Sequence, residues 1–401
     1  MAMRAKDMES TVTRRTFLAT SAGAGLVMGL GVVLPGCSKD QAVDEMAVDG
    51  SSISFAPAVW VEIDGNGKVL VNIAKAEMGQ HVGTALARIV ADELGANWDD
   101  VTIKHVDSDP KWGFMVTGGS WSVFTSFTML SQAGAAGRTI LRDAGAAMLG
   151  SMPEETTVAN GMVSANGESL SFAEVVRNGD ISRTFTDEEL GAMPVKPASE
   201  RTLIGKPAKA LDIPAKSSGE AVYGLDVELD GMVYAHPLIP PTRYGSTIKS
   251  IDDTAAKDIR GYVQTMALED PAQILQGWAV VIAEDYPAAM KAAEAVVVEW
   301  EPGPTASVTE AHLITEGNKL VQDKTSGVLA VDDGDVAAAR EAAASTHTST
   351  YTTSTALHFT LEPANALVEF KDGKCHIHSG NQWQSLILPV LAQSLQMEEA
   401  N

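Results

Sequence analysis

Four short stretches hold the groups with which this chain could do chemistry. The first is Glu77-Met78-Gly79-Gln80-His81-Val82-Gly83-Thr84. Two glycines and a carboxamide stand where a helix opens. Free N–H groups at such an opening favour an anion, and the glycines admit a ligand close to the backbone. The same residues also suit an ordinary strand–loop–helix junction, with Gln80 as a cap. The second stretch is Thr117-Gly118-Gly119-Ser120-Trp121-Ser122, followed by Gln132-Ala133-Gly134-Ala135-Ala136-Gly137-Arg138. The third, His358-x-x-x-Glu362-Pro363-x-Asn365, offers an imidazole and a carboxylate, either as site groups or as a structural pair beside a strand. The fourth, Asn381-Gln382-Trp383, offers an amide for a site or for a helix cap. Cysteine contributes little. There are two, Cys37 and Cys375, so the chain has no thiolate cluster for zinc or iron–sulfur. Cys375 reads as a small buried apolar residue.

The elements that must position these groups are legible from periodicity. Val59 to Ile63 and Val69 to Ile73 predict a hairpin about Asp64-Gly65-Asn66-Gly67. Val82, Leu86, Ile89, Val90 and Leu94 predict a helix stopped by Gly95. Trp98 to Val106 alternates like a strand, and a long Ala- and Gly-rich helix is expected from about Phe127 to Leu149. Glycine costs a helix interior roughly 1 kcal/mol against alanine, so these glycines point to close helix packing. A hairpin over Thr157 to Val163 and a capping box, Ser171 with Glu174, follow. Residues 180–209 lack periodicity. Strands are then expected at Ala221 to Val227, Met232 to Leu238, Ile248 to Asp252, Val263 to Met266, Ala279 to Ala283 and Val296 to Trp300, with a helix from Tyr286 to Ala293. From Thr346 the pattern turns to β, including Tyr351 to Ser354 and His358 to Phe370. A turn at Lys371 to Lys374, a strand Cys375 to His378 and a helix Trp383 to Met397 close the chain.

With 401 residues, 45% hydrophobic and 20% charged, the chain is globular and long enough for two or three domains. A net charge of -23 excludes nucleic acid as a partner and disfavours an anionic membrane surface. Thr13-Arg14-Arg15-Thr16-Phe17-Leu18 is a twin-arginine pattern ahead of an uncharged run, which predicts an export signal over residues 1–36. The expected location is periplasmic. Leu34-Pro35-Gly36-Cys37 resembles a lipoprotein box, which would make Cys37 a lipid-bearing residue and anchor the protein to a membrane. Residues 37–55 read as a linker.

Taken together, Glu77-Met78-Gly79-Gln80, Gly118-Gly119-Ser120 with its following helix, and His358-x-x-x-Glu362-Pro363-x-Asn365 resemble the molybdopterin-binding large subunit of the xanthine dehydrogenase/aldehyde oxidase family. The order of segments is similar to the isoquinoline 1-oxidoreductase beta-subunit branch. Ala221 to Asp226 and Gly231 to Ala235 resemble that family's α/β-hammerhead domain. The resemblance implies a mixed α+β fold: a molybdopterin-binding segment at 56–185, a connector at 186–209, a hammerhead at 210–303, and the start of a further, truncated molybdopterin-binding domain at 304–401. It implies hydroxylation of an N-heterocycle or aldehyde with oxygen from water. The implied cofactor is a molybdopterin dinucleotide, in its cytosine form, with molybdenum. Electrons would leave through a small [2Fe–2S] partner subunit to a carrier such as a cytochrome. By the same resemblance Gly79, Gln80, Gly118, Gly119 and Ser120 contact the cofactor, and His358, Glu362 and Gln382 shape the pocket. His81 stands where the family has glycine. The family's later Gly-rich motif and catalytic glutamate would fall beyond residue 401, so no catalytic residue is nominated and this portion alone is expected not to turn over. A reading from another class is an exported, lipid-anchored binding or scaffold protein that keeps part of the fold.

Overall fold

The computed structural model describes residues 54–401, apart from 272, 273, 324 and 329. The twin-arginine pattern and Cys37 lie outside the described residues. Strands and helices are mixed throughout, and the chain divides into two units. One runs to Gly224 and takes in Ala366–Pro389; the other comprises Leu225–Asn365 and Val390–Asn401.

The first unit is built on a four-stranded sheet of β1 (Ser54–Ala58), β2 (Val61–Asp64), β3 (Val69–Ile73) and β4 (Val101–His105), in that spatial order. The β2–β3 hairpin is the one expected, with Asp64 Oδ1 accepting from the turn amides of Asn66 and Lys68. β3 pairs with β4 in parallel. That pairing needs a crossover, and α1 (Val82–Leu94) supplies it. Val61, Ile63, Val69, Val71 and Ile73 point inward from alternate strand positions and meet Val82, Leu86, Ile89, Val90 and Leu94 of the helix. Gly95 ends α1 in the left-handed region at φ 77°.

α2 (Trp121–Met148) is longer than its periodicity predicts, beginning six residues before Phe127. Its first turn is polar and aromatic and largely exposed, so hydrophobic spacing could not mark it. The small residues act as expected. A Cβ on Gly134 would stand 2.6 Å from the Val90 carbonyl oxygen of α1. One on Gly145 would stand 2.4 Å from Val163 Cγ1. The hairpin after α2 is a three-stranded meander of β5 (Thr157–Ala159), β6 (Met162–Ala165) and β7 (Glu168–Ser171). The capping box forms at the start of α3 (Phe172–Asn178): Ser171 Oγ accepts from the Glu174 amide while the Glu174 carboxylate accepts from the Ser171 amide.

The aperiodic stretch before residue 209 is tied down, although it has little regular structure beyond α4 (Asp187–Gly191). From Lys196 to Lys216 it runs antiparallel along α1 as a strap. Asp92 and Glu93, each 1% exposed, receive its backbone. Asp92 Oδ1 accepts from Thr202 N at 3.0 Å, and Oδ2 accepts from Leu203 N at 3.0 Å and Ile204 N at 2.8 Å. Glu93 accepts from Lys196 N at 3.0 Å and stands 3.5 Å from Arg138 and 3.9 Å from Arg201. One turn on, Arg88 donates to the carbonyls of Leu203 and Lys206. Thr84 Oγ1 then accepts from Leu211 N at 2.9 Å. Thr84, Arg88 and Asp92 are four residues apart, so they form one stripe on the helix. The strap ends in α5 (Ile213–Ser218).

The second unit contains the antiparallel sheet β10–β11–β8, formed by β8 (Tyr234–Leu238), β10 (Tyr262–Ala267) and β11 (Ala279–Ala283). A separate ribbon pairs β9 (Thr247–Asp252) with β12 (Val297–Glu301). α6 (Tyr286–Ala295) opens under the Asp285 cap and buries Ala288, Ala289 and Ala292. The strand expected at Ala221 to Val227 is absent; Gly224–Asp226 forms a short 3-10 turn. α7 (Glu310–Gln322) and α8 (Val336–Ala342) have no buried residues. The β pattern expected from Tyr351 onward also fails until Leu367: residues 349–360 have no regular structure. Their threonines and aromatics favour strands only with a paired neighbour. β13 (Leu367–Lys371) and β14 (Lys374–His378) form the expected hairpin about Asp372-Gly373. α9 (Gln384–Leu395) follows, with Pro389 inside it.

Candidate functional site

The crossover from β3 to α1 is a loop held by its own side chains. Glu77 Oε1 accepts from Gly79 N at 2.8 Å and from His81 N at 3.0 Å. Gln80 Oε1 accepts from Met78 N at 2.7 Å, and its Nε2 donates to the Ala76 carbonyl at 2.9 Å. The N–H groups of Met78, Gly79 and His81 are therefore taken by side-chain oxygens. The expectation of free donors at this opening is corrected for those three. Gln80 shapes the loop rather than capping the helix. His81 is the N-cap residue and takes the left-handed conformation, φ 59° and ψ 35°. Glycine adopts that region without cost, which is the physical content of a glycine at this place in the family pattern.

The second loop is built alike. Gly119 has φ 59°, and Ser120, the N-cap of α2, has φ 60° and ψ 25° with no side-chain capping bond. The indole of Trp121 lies along Gly119, where a Cβ would come within 3.3 Å of it. Gly79 and Gly118 have open space where a Cβ would go. Glycine at both leaves bare backbone facing outward.

Thr117 joins the stretches. Its hydroxyl accepts from Ala76 N at 2.8 Å, which ties it to the first loop. Its amide donates to the Gln382 carbonyl at 2.8 Å, and its carbonyl accepts from Gln382 Nε2 at 2.9 Å. Met115 and Ser385 exchange two more bonds alongside. Lys75 donates to the Val116 carbonyl at 3.0 Å, and burial pushes its ammonium below the ordinary lysine value. The structure thus brings Gly79, Gln80, Gly118, Gly119, Ser120 and Gln382 to one place. Gln382 clasps Thr117 across 265 residues of sequence rather than capping a helix. His358 and Glu362 belong to the second unit, where His358 is exposed and Glu362 Oε1 accepts from Asn365 at 3.4 Å. Cys375 is half-buried in β14, and burial pushes its thiol up.

Sequence reasoning missed Lys75, Thr117, Asp212 and Lys216. Thr117 stood in the small-residue cluster, and its hydroxyl was the available signal. Asp212 and Lys216 form an i,i+4 pair of an ordinary helical kind, and what sets them apart, Glu77 and His81, lies far away in sequence. Lys216 contacts Asp212 and stands 3.8 Å from Glu77, while His81 Nδ1 is 3.5 Å from Asp212 Oδ1.

Gln382→Ala removes the side-chain bond to Thr117 and spares the backbone one. The expected cost is about 1 kcal/mol. It should appear as faster amide exchange at Ala76 and Thr117, with the melting temperature nearly unchanged.

Two domain families, each described as a molybdopterin cofactor-binding domain, match residues 11–207 and 320–401. The chain belongs to the xanthine dehydrogenase/aldehyde oxidase family. Within it, the chain is 48% identical over 393 residues to a membrane-bound aldehyde dehydrogenase of Gluconacetobacter polyoxogenes whose name includes pyrroloquinoline quinone. That match covers 98% of this chain and 50% of the relative. It is 27% identical to one subunit of the nicotinate dehydrogenase of Pseudomonas putida, over 86% of this chain and 28% of that one. It is 28% identical to the beta subunit of the isoquinoline 1-oxidoreductase of Brevundimonas diminuta, over 73% of this chain and 41% of that one. The chain spans half or less of the length of these curated relatives. Among the described residues no helix is long and apolar enough to cross a membrane.

Proposed function

We propose that this xanthine dehydrogenase/aldehyde oxidase family chain forms the cofactor-holding portion of a molybdenum hydroxylase large subunit, exported by the twin-arginine route to the periplasm. The observation that carries this reading is the convergence of loops 75–81, 116–120 and 382–385 on Thr117. Both domain families that match the chain contribute to that meeting point.

The residues fit a pterin that carries phosphates. Gly79 and Gly118 leave open space where a Cβ would go, which lets a phosphate-bearing group come close to the backbone. Ser120 spends no hydroxyl on capping. Gln382 fixes the second loop, and Gln80 with Glu77 fixes the first. When bound, the molybdenum cofactor would supply two-electron oxidation with oxygen drawn from water. The chain's own residues hold and orient. The proposed cofactor is the cytosine dinucleotide, and the proposed electron route is a [2Fe–2S] partner subunit, then a carrier such as a cytochrome. Residues 210–303 are proposed as the α/β-hammerhead domain, His358 and Glu362 as residues that shape the pocket, and Cys37 as a lipid anchor.

For the substrate we propose an aldehyde or an N-heterocycle. The 48% identity to a protein named as an aldehyde dehydrogenase favours the aldehyde. That relative's name also raises a second reading, a quinone cofactor. The test is to purify the full complex and measure molybdenum by mass spectrometry, with released pterin, nucleotide and quinone by chromatography. About one molybdenum per large subunit with a cytosine nucleotide is expected. Quinone without pterin overturns the reading. A complex free of metal and cofactor that still binds small ligands returns it to the binding or scaffold class.

A further inference from the structure

The end of the strap meets the first loop at a charge cluster whose carboxylates are shielded and whose Lys216 and His81 reach solvent. Glu77 is 10% exposed at its side chain and Asp212 is 13% exposed. Glu77 Oε1 receives the Gly79 and His81 amides, and the Lys216 ammonium lies 3.8 Å from it. Lys216 also donates to Asp212 Oδ2, and His81 Nδ1 faces Asp212 Oδ1. A carboxylate that gathers two loop amides must keep one orientation. With Glu77 itself largely shielded, its charge is stabilised by a cation nearby. Lys216 is that cation, and it is delivered by the strap. We infer that Lys216 is a positioning residue, acting through Glu77 to hold the Met78-Gly79-Gln80 turn in the conformation that receives the cofactor. The inference rests on the cofactor-binding reading of this loop.

Burial alone would depress the Lys216 ammonium, but the Asp212 and Glu77 carboxylates outweigh it and hold the ammonium above the ordinary lysine value. Lysine is therefore charged throughout the neutral range. Three groups here, Glu77, His81 and Asp212, also bring ligand atoms within 4.8 Å of one another. That arrangement could suit a divalent cation in place of the ammonium. The two occupants make opposite demands on Lys216, which makes them separable.

The test uses the full complex with Lys216→Met and Lys216→Arg. It reads hydrogen exchange at Gly79 and His81, retained pterin, melting temperature and bound metals. Lys216→Met is expected to speed exchange at both amides by about five- to tenfold. It should also reduce retained pterin several-fold while the melting temperature holds. Lys216→Arg restores both, because a guanidinium still bridges two carboxylates. Unchanged exchange in Lys216→Met overturns the inference. So does about one equivalent of a divalent metal other than molybdenum that is lost in Glu77→Gln and Asp212→Asn but kept in Lys216→Met. The exchange readout does not depend on pterin. Faster exchange in a complex that never held pterin sinks the cofactor reading and leaves the latch standing.

Discussion

Asp92→Ala lowers the stability of the first unit by about 3–5 kcal/mol. Three strap amides, those of Thr202, Leu203 and Ile204, lose their acceptor inside a closed environment. Each stranded donor costs about 1–3 kcal/mol. The effect depends on pH. Burial pushes the Asp92 carboxyl up, but the amides of Ile204, Thr202 and Leu203 and the Lys196 charge outweigh it, and the carboxyl lies below its ordinary 3.8. A depressed carboxyl contributes stability that is fully present above the unfolded value and is lost as pH falls through the folded one. The gap between wild type and Asp92→Asn is therefore widest at neutral pH and closes below about pH 3.8. Glu93 acts in the opposite sense. Burial raises its carboxyl, with the Lys196 amide and nearby cations only partly offsetting it. Its contribution is greatest below the unfolded value and declines as pH rises through the folded one. Urea titrations from pH 3 to 7 check both signs; a wild-type-to-variant gap that does not change with pH contradicts the Asp92 account.

Gly134→Ala is the second large effect. A methyl there would stand 2.6 Å from the Val90 carbonyl oxygen and 2.8 Å from Glu93 Cβ. One obstacle is backbone and the other is the root of a buried side chain, so neither can swing aside. Overpacking of this kind costs about 1–3 kcal/mol. That exceeds the roughly 1 kcal/mol that alanine gains over glycine in a helix. Gly191→Ala is the control, since it meets nothing within 4 Å and has no left-handed backbone. Its melting temperature should hold or rise slightly. Equal behaviour of the two variants would contradict close packing of α2 on α1.

The contrast between these residues shows what could be read in advance. Gly134 was legible, because small residues repeated along a helix have one use, close approach. The hairpin, α1 with its Gly95 stop, and the Ser171 capping box were legible for the same reason: each is set by neighbours within a few residues. Asp92 and Glu93 have nothing in their sequence neighbours that marks them as buried. Their burial depends on a strap over a hundred residues away, which no local pattern reveals. The strand expected near Ala221 and the β pattern after Tyr351 failed from the other side. Both have strand-like composition without a paired neighbour. For the site, the glycines and Gln382 were found through type and order. Thr117 and Lys216 were not, because each is defined by a partner rather than by its surroundings in sequence.

The strap is gripped by its backbone. Asp92, Glu93, Arg88 and Thr84 bind amides and carbonyls of the strap, with the side chains of Lys196, Arg201 and Thr202 adding to the grip. Over evolutionary time this permits drift. Leu203, Ile204 and Leu211 also pack against the core, so those positions can exchange among apolar residues so long as each keeps an N–H. Proline is the one exchange barred at all of these positions, since it removes the donor. A one-residue insertion or deletion between 204 and 211 is also penalised, because it would shift the register of every later contact against a helix that repeats each turn. Relatives of this chain should therefore show a strap of constant length that stays apolar at 203, 204 and 211, lying beside a helix whose polar stripe does not vary.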